Sequence, residues 1–173
     1  MINLTIPTRI KNLYFNIFRP ILPRETVNEK VAKLKVNLEN ILFLSLESNI
    51  SFNNGIYLVD ISQITLQGAE PRYGEIFNLR FYIYRDYLRI HLLIIPYYLR
   101  HKGFGRYVWQ IFINNWKEQY KYYEAEYKTK EAYLFWKKMG FAVDYSLNIN
   151  LDPSGKYSGR KMYYQISNKN ILH

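Results

Sequence analysis

The residues best suited to chemistry in this 173-residue chain are Arg100-His101-Lys102-Gly103-Phe104-Gly105-Arg106, basic side chains set around two glycines. A β-rich run ending Leu93-Ile94-Ile95 precedes them. Phe104, Val108, Ile111 and Phe112 follow at the i, i+4, i+7, i+8 spacing of a helix with one buried face. Glycine between a strand and a helix lets the backbone approach a ligand closely, and the free N–H groups of a first helical turn point at an anion placed above them. The segment reads as a phosphate cradle or as a turn that needs glycine for its own geometry. It is not a P-loop, because no Gly-Lys-Ser/Thr follows. Nor is it a dinucleotide fingerprint, because no third glycine stands in register.

The elements that must position this turn form a mixed α/β pattern. Val27, Val31, Leu34, Leu38 and Ile41 recur at helical spacing after Pro23, which predicts a long amphipathic helix. From Gly55 the pattern alternates: Ile56, Leu58 and Asp60 against Tyr57, Val59 and Ile61. Runs 76–84 and 87–95, separated by Arg85 and Asp86, predict an antiparallel hairpin at the centre of a sheet. A strand over 122–127 follows the helix that begins at Phe104. Thr129 then caps a second helix that ends at Gly140, with Lys137 and Lys138 in its last turn. Runs 142–150 and 161–166 read as strands joined by Asp152-Pro153-Ser154-Gly155. With no repeat or Gly/Ser-rich linker, residues 1–173 read as one domain.

Composition narrows the chemistry. The chain has no cysteine, so disulfides, thiolate zinc sites and a cysteine acyl-enzyme are excluded, and its three histidines are scattered, so no metal is expected. The net charge of +10 favours anionic ligands: phosphates, RNA or acidic surfaces. Eighteen tyrosines are open to two readings, stacking platforms for RNA or the imprint of AT-rich codons. No apolar run reaches the roughly 18 to 20 residues of a membrane span, and the start lacks the order of a signal peptide, so a cytoplasmic protein is expected.

Two motifs, each on its expected element, resemble those of the GNAT superfamily of acyl-CoA-dependent N-acyltransferases. Arg100-x-x-Gly103-x-Gly105 resembles the turn that cradles the CoA pyrophosphate. Ala132-x-x-Phe135-Trp136-x-x-x-Gly140-Phe141 resembles the second motif, with Trp136 where the family often carries a tyrosine that protonates the leaving thiolate. The resemblance covers roughly residues 76–166. It implies a mainly antiparallel, twisted central sheet with helices on both faces and acetyl-CoA or another acyl-CoA as co-substrate. The acceptor it implies is a primary amine, for which the positive charge suits a peptide, protein or aminoacyl group better than a polycation. A non-catalytic CoA- or RNA-binding module that keeps the fold is the alternative, and a homodimer is left open.

The resemblance also assigns roles. CoA would lie against Leu93, Ile94, Ile95, Arg100, His101, Lys102, Gly103, Phe104, Gly105 and Arg106, with strand backbone offering hydrogen bonds to the pantetheine and to the developing oxyanion. For the base, strand alternation places His91 on one face with Leu93 and Ile95, and histidine is the residue type suited to taking up a proton in a general-base role; the alternative is a histidine satisfied within the sheet. Tyr133 is the candidate acid, against a purely structural tyrosine, and Trp136 is expected to shape the acyl or acceptor pocket. His101 is expected to meet solvent or phosphate.

Overall fold

Arg85 and Asp86 turn the chain between β3 (Asn78–Ile83) and β4 (Tyr87–Ile94), and the Tyr84 N–H donates to the Tyr87 carbonyl at 3.0 Å to close the predicted hairpin. The computed structural model describes residues 22–65, 72, 74–143 and 160–166. Among them six strands form one sheet in chain order: β1 (Leu46–Asn53), β2 (Ile56–Gln63), β3, β4, β5 (Tyr122–Tyr127) and β6 (Arg160–Gln165). Every neighbouring pair is antiparallel except β4 and β5, which run parallel. The parallel step requires a crossover, and the helix after the glycine turn supplies it.

Three helices are described: α1 (Arg24–Leu42), α2 (Phe104–Trp116) and α3 (Lys130–Lys138). The helix stripe of α1 is Val27, Val31, Leu34 and Leu38 as expected, but Leu42 completes it and Ile41 stays half-buried. A partly buried reciprocal brace joins α1 to α2: Lys30 donates to the Asn115 carbonyl at 2.9 Å and the Asn115 amide donates to the Lys30 carbonyl at 3.0 Å. Thr129 caps α3 as predicted, accepting the Ala132 N–H at 3.1 Å, and Gly140 at φ +91° ends it.

Strand alternation turns Val59, Ile61, Leu79, Phe81, Leu88, Ile90, Tyr123 and Ala125 to one face, where all are buried. Phe112 of α2 meets Phe81 edge-on at 5.0 Å, and Trp109 meets Tyr123 at 5.7 Å and Trp136 of α3 at 6.0 Å. The sequence leads to an expectation of helices on both faces; among the described residues all three pack on this one. The other face, around Asp60, Arg80, Tyr82, Arg89, His91, Glu124 and Glu126, satisfies its charges internally. Arg80 pairs with Asp60, and Arg89 and Lys161 both pair with Glu124.

Strand β1 is not legible as a strand in the sequence. It is an edge strand, all but Leu46 and Ile50 of its residues are exposed, and the alternation of Leu46, Ile50 and Phe52 is broken by Ser48. Of the strand expected over 142–150, Ala142 forms an isolated bridge with Tyr163; residues 144–150 and the turn at Asp152–Gly155 lie outside the described residues.

Candidate functional site

Strands β4 and β5 pair from Tyr87↔Tyr122 to Ile90↔Ala125, and there the pairing stops. Both strands continue, β4 to Ile94 and β5 to Tyr127, so they diverge and leave a wedge between them. At the apex β4 carries a bulge. Phe81 faces Ile90 and Arg80 faces Leu92, which leaves His91 as the extra residue without a partner on β3. Bulge and divergence together expose strand-edge N–H and C=O groups of β4 to a ligand, and no described strand occupies that edge.

The bulge corrects one expectation. It shifts the alternation, so Leu93 pairs with core-facing Leu79, while Leu92 and Ile94 pair with Arg80 and Asn78 of the opposite face. His91 therefore does not share a face with Leu93. It turns to the polar face, where Nδ1 lies 2.9 Å from Oε2 of Glu126, and both side chains are partly exposed. A carboxylate accepts and does not donate, so in the neutral ring the proton sits on Nδ1 and Nε2 is left as an acceptor. Glu126 thus joins the site as the residue that orients His91. Sequence reasoning did not place it in the site, yet the signal is present: Arg89 and His91 on β4 match Glu124 and Glu126 on β5 once the parallel register is known.

Beside this dyad the electrostatics are set by a tyrosine bundle. Tyr84 and Tyr87 stack at 4.4 Å, and the Arg89 guanidinium lies 4.9 Å over Tyr84. Burial pushes the Tyr84 and Tyr87 hydroxyls above the usual tyrosine range. Burial also works against the Arg89 charge, but Glu124 and the two tyrosines outweigh it and hold the guanidinium above its ordinary value.

The turn after β4 is built by its own residues. Pro96 and a short 3-10 turn, Tyr97–Leu99, redirect the chain, and Arg100 Nε donates to the Ile95 carbonyl at 2.8 Å while its guanidinium lies 4.1 Å from the Tyr97 ring centroid. Arg100, expected among the CoA ligands, is thereby a brace that closes the turn. His101 takes φ +59°, and Gly103 takes φ +86° as the N-cap of α2. Having no side chain, Gly103 offers the first turn no side-chain cap, while the Arg106 N–H donates to the Gly103 carbonyl at 3.0 Å. His101, Lys102, Gly103 and Arg106 are exposed around it, and Phe104 packs on the core. The two glycines serve different ends: Gly103 meets the turn's own need for a left-handed backbone. Gly105 serves packing, since a Cβ there would stand 2.9 Å from Phe135 of α3.

The remaining expected residues fall as follows. Leu93 and Ile95 are half-buried against the core, and Ile94 is buried. Trp136 is 3% exposed among Trp109, Phe135 and Phe141, a core position. Tyr133 packs on Tyr127 at 5.4 Å under Lys137. By the alternation of β5 it lies on the helix side of the sheet, with His91 on the other. Among the described residues no group of His, Asp and Glu side chains could hold a metal ion, and no helix is long and apolar enough to cross a membrane.

By sequence, no known family and no curated protein matches the chain. Its fold is similar to three solved structures, among others. An acetyltransferase from Bacillus cereus is 17% identical over 95% of this chain and 94% of that one, with a TM-score of 0.40. The ribosomal-protein-S18-alanine N-acetyltransferase from Escherichia coli is 11% identical over 70% and 77%, with a TM-score of 0.41. A tandem GNAT protein from the clavulanic acid biosynthesis pathway is 16% identical over 54% of this chain, with a TM-score of 0.41; the match spans 30% of that tandem protein's length.

Proposed function

We propose that the chain is a GNAT-type N-acyltransferase that moves an acetyl or longer acyl group from CoA to a primary amine. The observation that carries the reading is the wedge between β4 and β5, with a bulge and a His91–Glu126 pair at its apex and the Gly103 cradle at its mouth. The residues present fit such a co-substrate. The first turn of α2, free of a side-chain cap and flanked by exposed Lys102 and Arg106, suits a pyrophosphate, and the unpaired edge of β4 suits an extended amide-bearing arm. CoA would supply the activated thioester.

What the chain itself contributes follows from geometry. The cradle and the β4 edge hold the acyl carbon beside the incoming amine, and such positioning can contribute about 7 to 11 kcal/mol. Backbone N–H groups at the bulge are the natural donors to the charge that develops on the acyl oxygen, worth about 3 to 4 kcal/mol. His91 accepts the amine proton at Nε2, and Glu126 steadies the imidazolium; a general base of this kind contributes about 10² to 10⁴-fold. The thiol has an unperturbed pKa of about 8.5, so the thiolate can leave with a proton from water or from Tyr133. Trp136 has no titratable proton, which leaves Tyr133 as the candidate acid on α3. The favoured acceptor is an amine on a peptide, protein or aminoacyl group.

The test is thiol release from acetyl-CoA across a panel of amines, with wild type beside His91→Ala. Release that depends on amine and falls in the variant supports the reading. CoA binding without turnover of any amine would favour a binding module.

A further inference from the structure

Glu126 has a cation across the sheet as well as His91 beside it. The register of β5 with β6 sets Lys161 directly opposite Glu126 and Tyr163 opposite Glu124, and strand alternation turns all four to the polar face. Residues directly opposite on antiparallel strands have Cβ atoms about 4.5 to 5.5 Å apart, against about 7 to 8 Å along the diagonal, so by register Glu126 is the carboxylate nearer to Lys161. The Lys161 ammonium nevertheless pairs with the diagonal Glu124, at 3.2 Å. Arg89 of β4 pairs with that same carboxylate.

Burial explains the choice. The Glu124 side chain is 6% exposed and that of Glu126 16%, so a Glu124 charge short of partners costs more than a Glu126 charge in the same position. Glu126 in turn has His91, with Nδ1 2.9 Å from Oε2. One alternative arrangement lies within reach. An ammonium swung to the carboxylate straight across would compete with the His91 Nδ1–H for Glu126. The other groups around His91 are held in place: Tyr82 of β3 meets the imidazole in a T-shaped contact with centroids 5.8 Å apart, and Arg89 lies over Tyr84 and donates to the Tyr87 hydroxyl at 3.2 Å. Lys161, with 35% of its side chain exposed, is the cation of this network that keeps the freedom to change partner.

We propose that Glu124 and Lys161 are positioning residues for the proton acceptor: by engaging the Lys161 ammonium, Glu124 keeps Glu126 available to His91, which holds the imidazole with its proton on Nδ1 and leaves Nε2 to accept. The inference rests on the acyltransferase reading for its catalytic meaning, but the state of the His91 ring is testable without CoA. Glutamine at 124 is the informative change. Its amide oxygen still accepts from Arg89, while the charge that draws Lys161 away from Glu126 is gone.

The experiment reads the ring nitrogens of His91 by NMR in the CoA-free full chain at about pH 8, where a histidine side chain is ordinarily neutral, with His91→Gln to assign the signals. Wild type should carry the proton on Nδ1. Glu124→Gln should convert most of the population to the Nε2–H form, and adding Lys161→Met to that variant should restore the Nδ1–H form. Lys161→Met alone should retain it, with the Nδ1 proton exchanging with water roughly two- to fivefold more slowly than in wild type, the fold-change that removal of one cross-strand charge supports. This variant alters a partly exposed side chain and leaves the Arg89–Glu124 pair in place, so it decides alone if Glu124→Gln does not fold. An unchanged tautomer in folded Glu124→Gln, no rescue in the double variant, or unslowed exchange in Lys161→Met would overturn the proposal. Thiol release from acetyl-CoA by the same proteins reports separately: the expected NMR pattern without amine-dependent release fails the acyltransferase reading alone, and release without the pattern fails the proposal alone.

Discussion

Replacing Gly105 with alanine tests how the cradle is joined to the core. The new Cβ would stand 2.9 Å from Cε2 and 3.4 Å from Cζ of Phe135, and 3.8 Å from Cγ1 of Ile95. The ring of Phe135 must therefore retreat, and it cannot do so freely. It abuts Trp136 at 4.8 Å, and Trp136 is locked against Phe141 at 4.9 Å and Trp109 at 6.0 Å. Overpacking of this kind costs about 1 to 3 kcal/mol, while alanine for glycine within a helix returns roughly 0.5 to 1 kcal/mol. The net expectation is a loss of about 1 kcal/mol, which for a chain of this size lowers Tm by roughly 2 to 4 °C. Gly103→Ala should cost a similar amount, about 1 to 2 kcal/mol, for another reason. Its Cβ meets only Tyr107, at 3.6 Å, and the penalty is the left-handed backbone at φ +86°. Thermal unfolding of both variants, each with and without Phe135→Leu, separates the causes. The smaller side chain should restore Gly105→Ala and leave Gly103→Ala unchanged. A Gly105→Ala protein more stable than wild type would refute the packing argument.

Other consequences are equally concrete. His91→Ala should lower kcat/KM for acyl transfer by about 10² to 10⁴-fold, and Glu126→Ala by a smaller factor; steady-state thiol release decides, and unchanged values would make the pair structural. Trp136→Ala should destabilise the fold by about 3 to 5 kcal/mol in denaturant titration, because it empties a core site, whereas a stable variant with altered substrate preference would favour the pocket role. The Leu46 N–H donates to the Glu39 carboxylate at 2.9 Å, and that bond, aided by Lys35, holds the carboxyl below its usual range. A depressed folded-state value means stability that is present above the unfolded pKa and lost as pH falls through the folded one. Wild type should thus lose more stability than Glu39→Gln on acidification below about pH 4.5; parallel losses would remove Glu39 from the account.

The parts of the fold legible in the sequence are those where side chains report the backbone directly. The hairpin around Arg85 and Asp86, strand 122–127 and the Thr129 cap follow from alternation and capping chemistry, and all three are present. The edge strand β1 is nearly silent because most of its residues face water and Ser48 interrupts the alternation of Leu46, Ile50 and Phe52. The bulge at His91 is silent for a different reason: it is a property of the pairing of β3 with β4, and the apolar run Leu92-Leu93-Ile94-Ile95 that follows marks neither face. Without the bulge, His91 is placed with Leu93, and Glu126 cannot be seen as its partner. The second motif located α3 but not the depth of Trp136, because the rings that bury it belong to α2 and to Phe141.

The central claim is that the turn at Gly103 is an acyl-CoA cradle, and calorimetric titration of acetyl-CoA into wild type and Gly103→Val tests it most directly. The account predicts one site per chain with a Kd on the order of micromolar to millimolar in wild type, and its loss in a variant that retains the native circular dichroism spectrum. Absence of binding to wild type, or undiminished affinity in folded Gly103→Val, would contradict it.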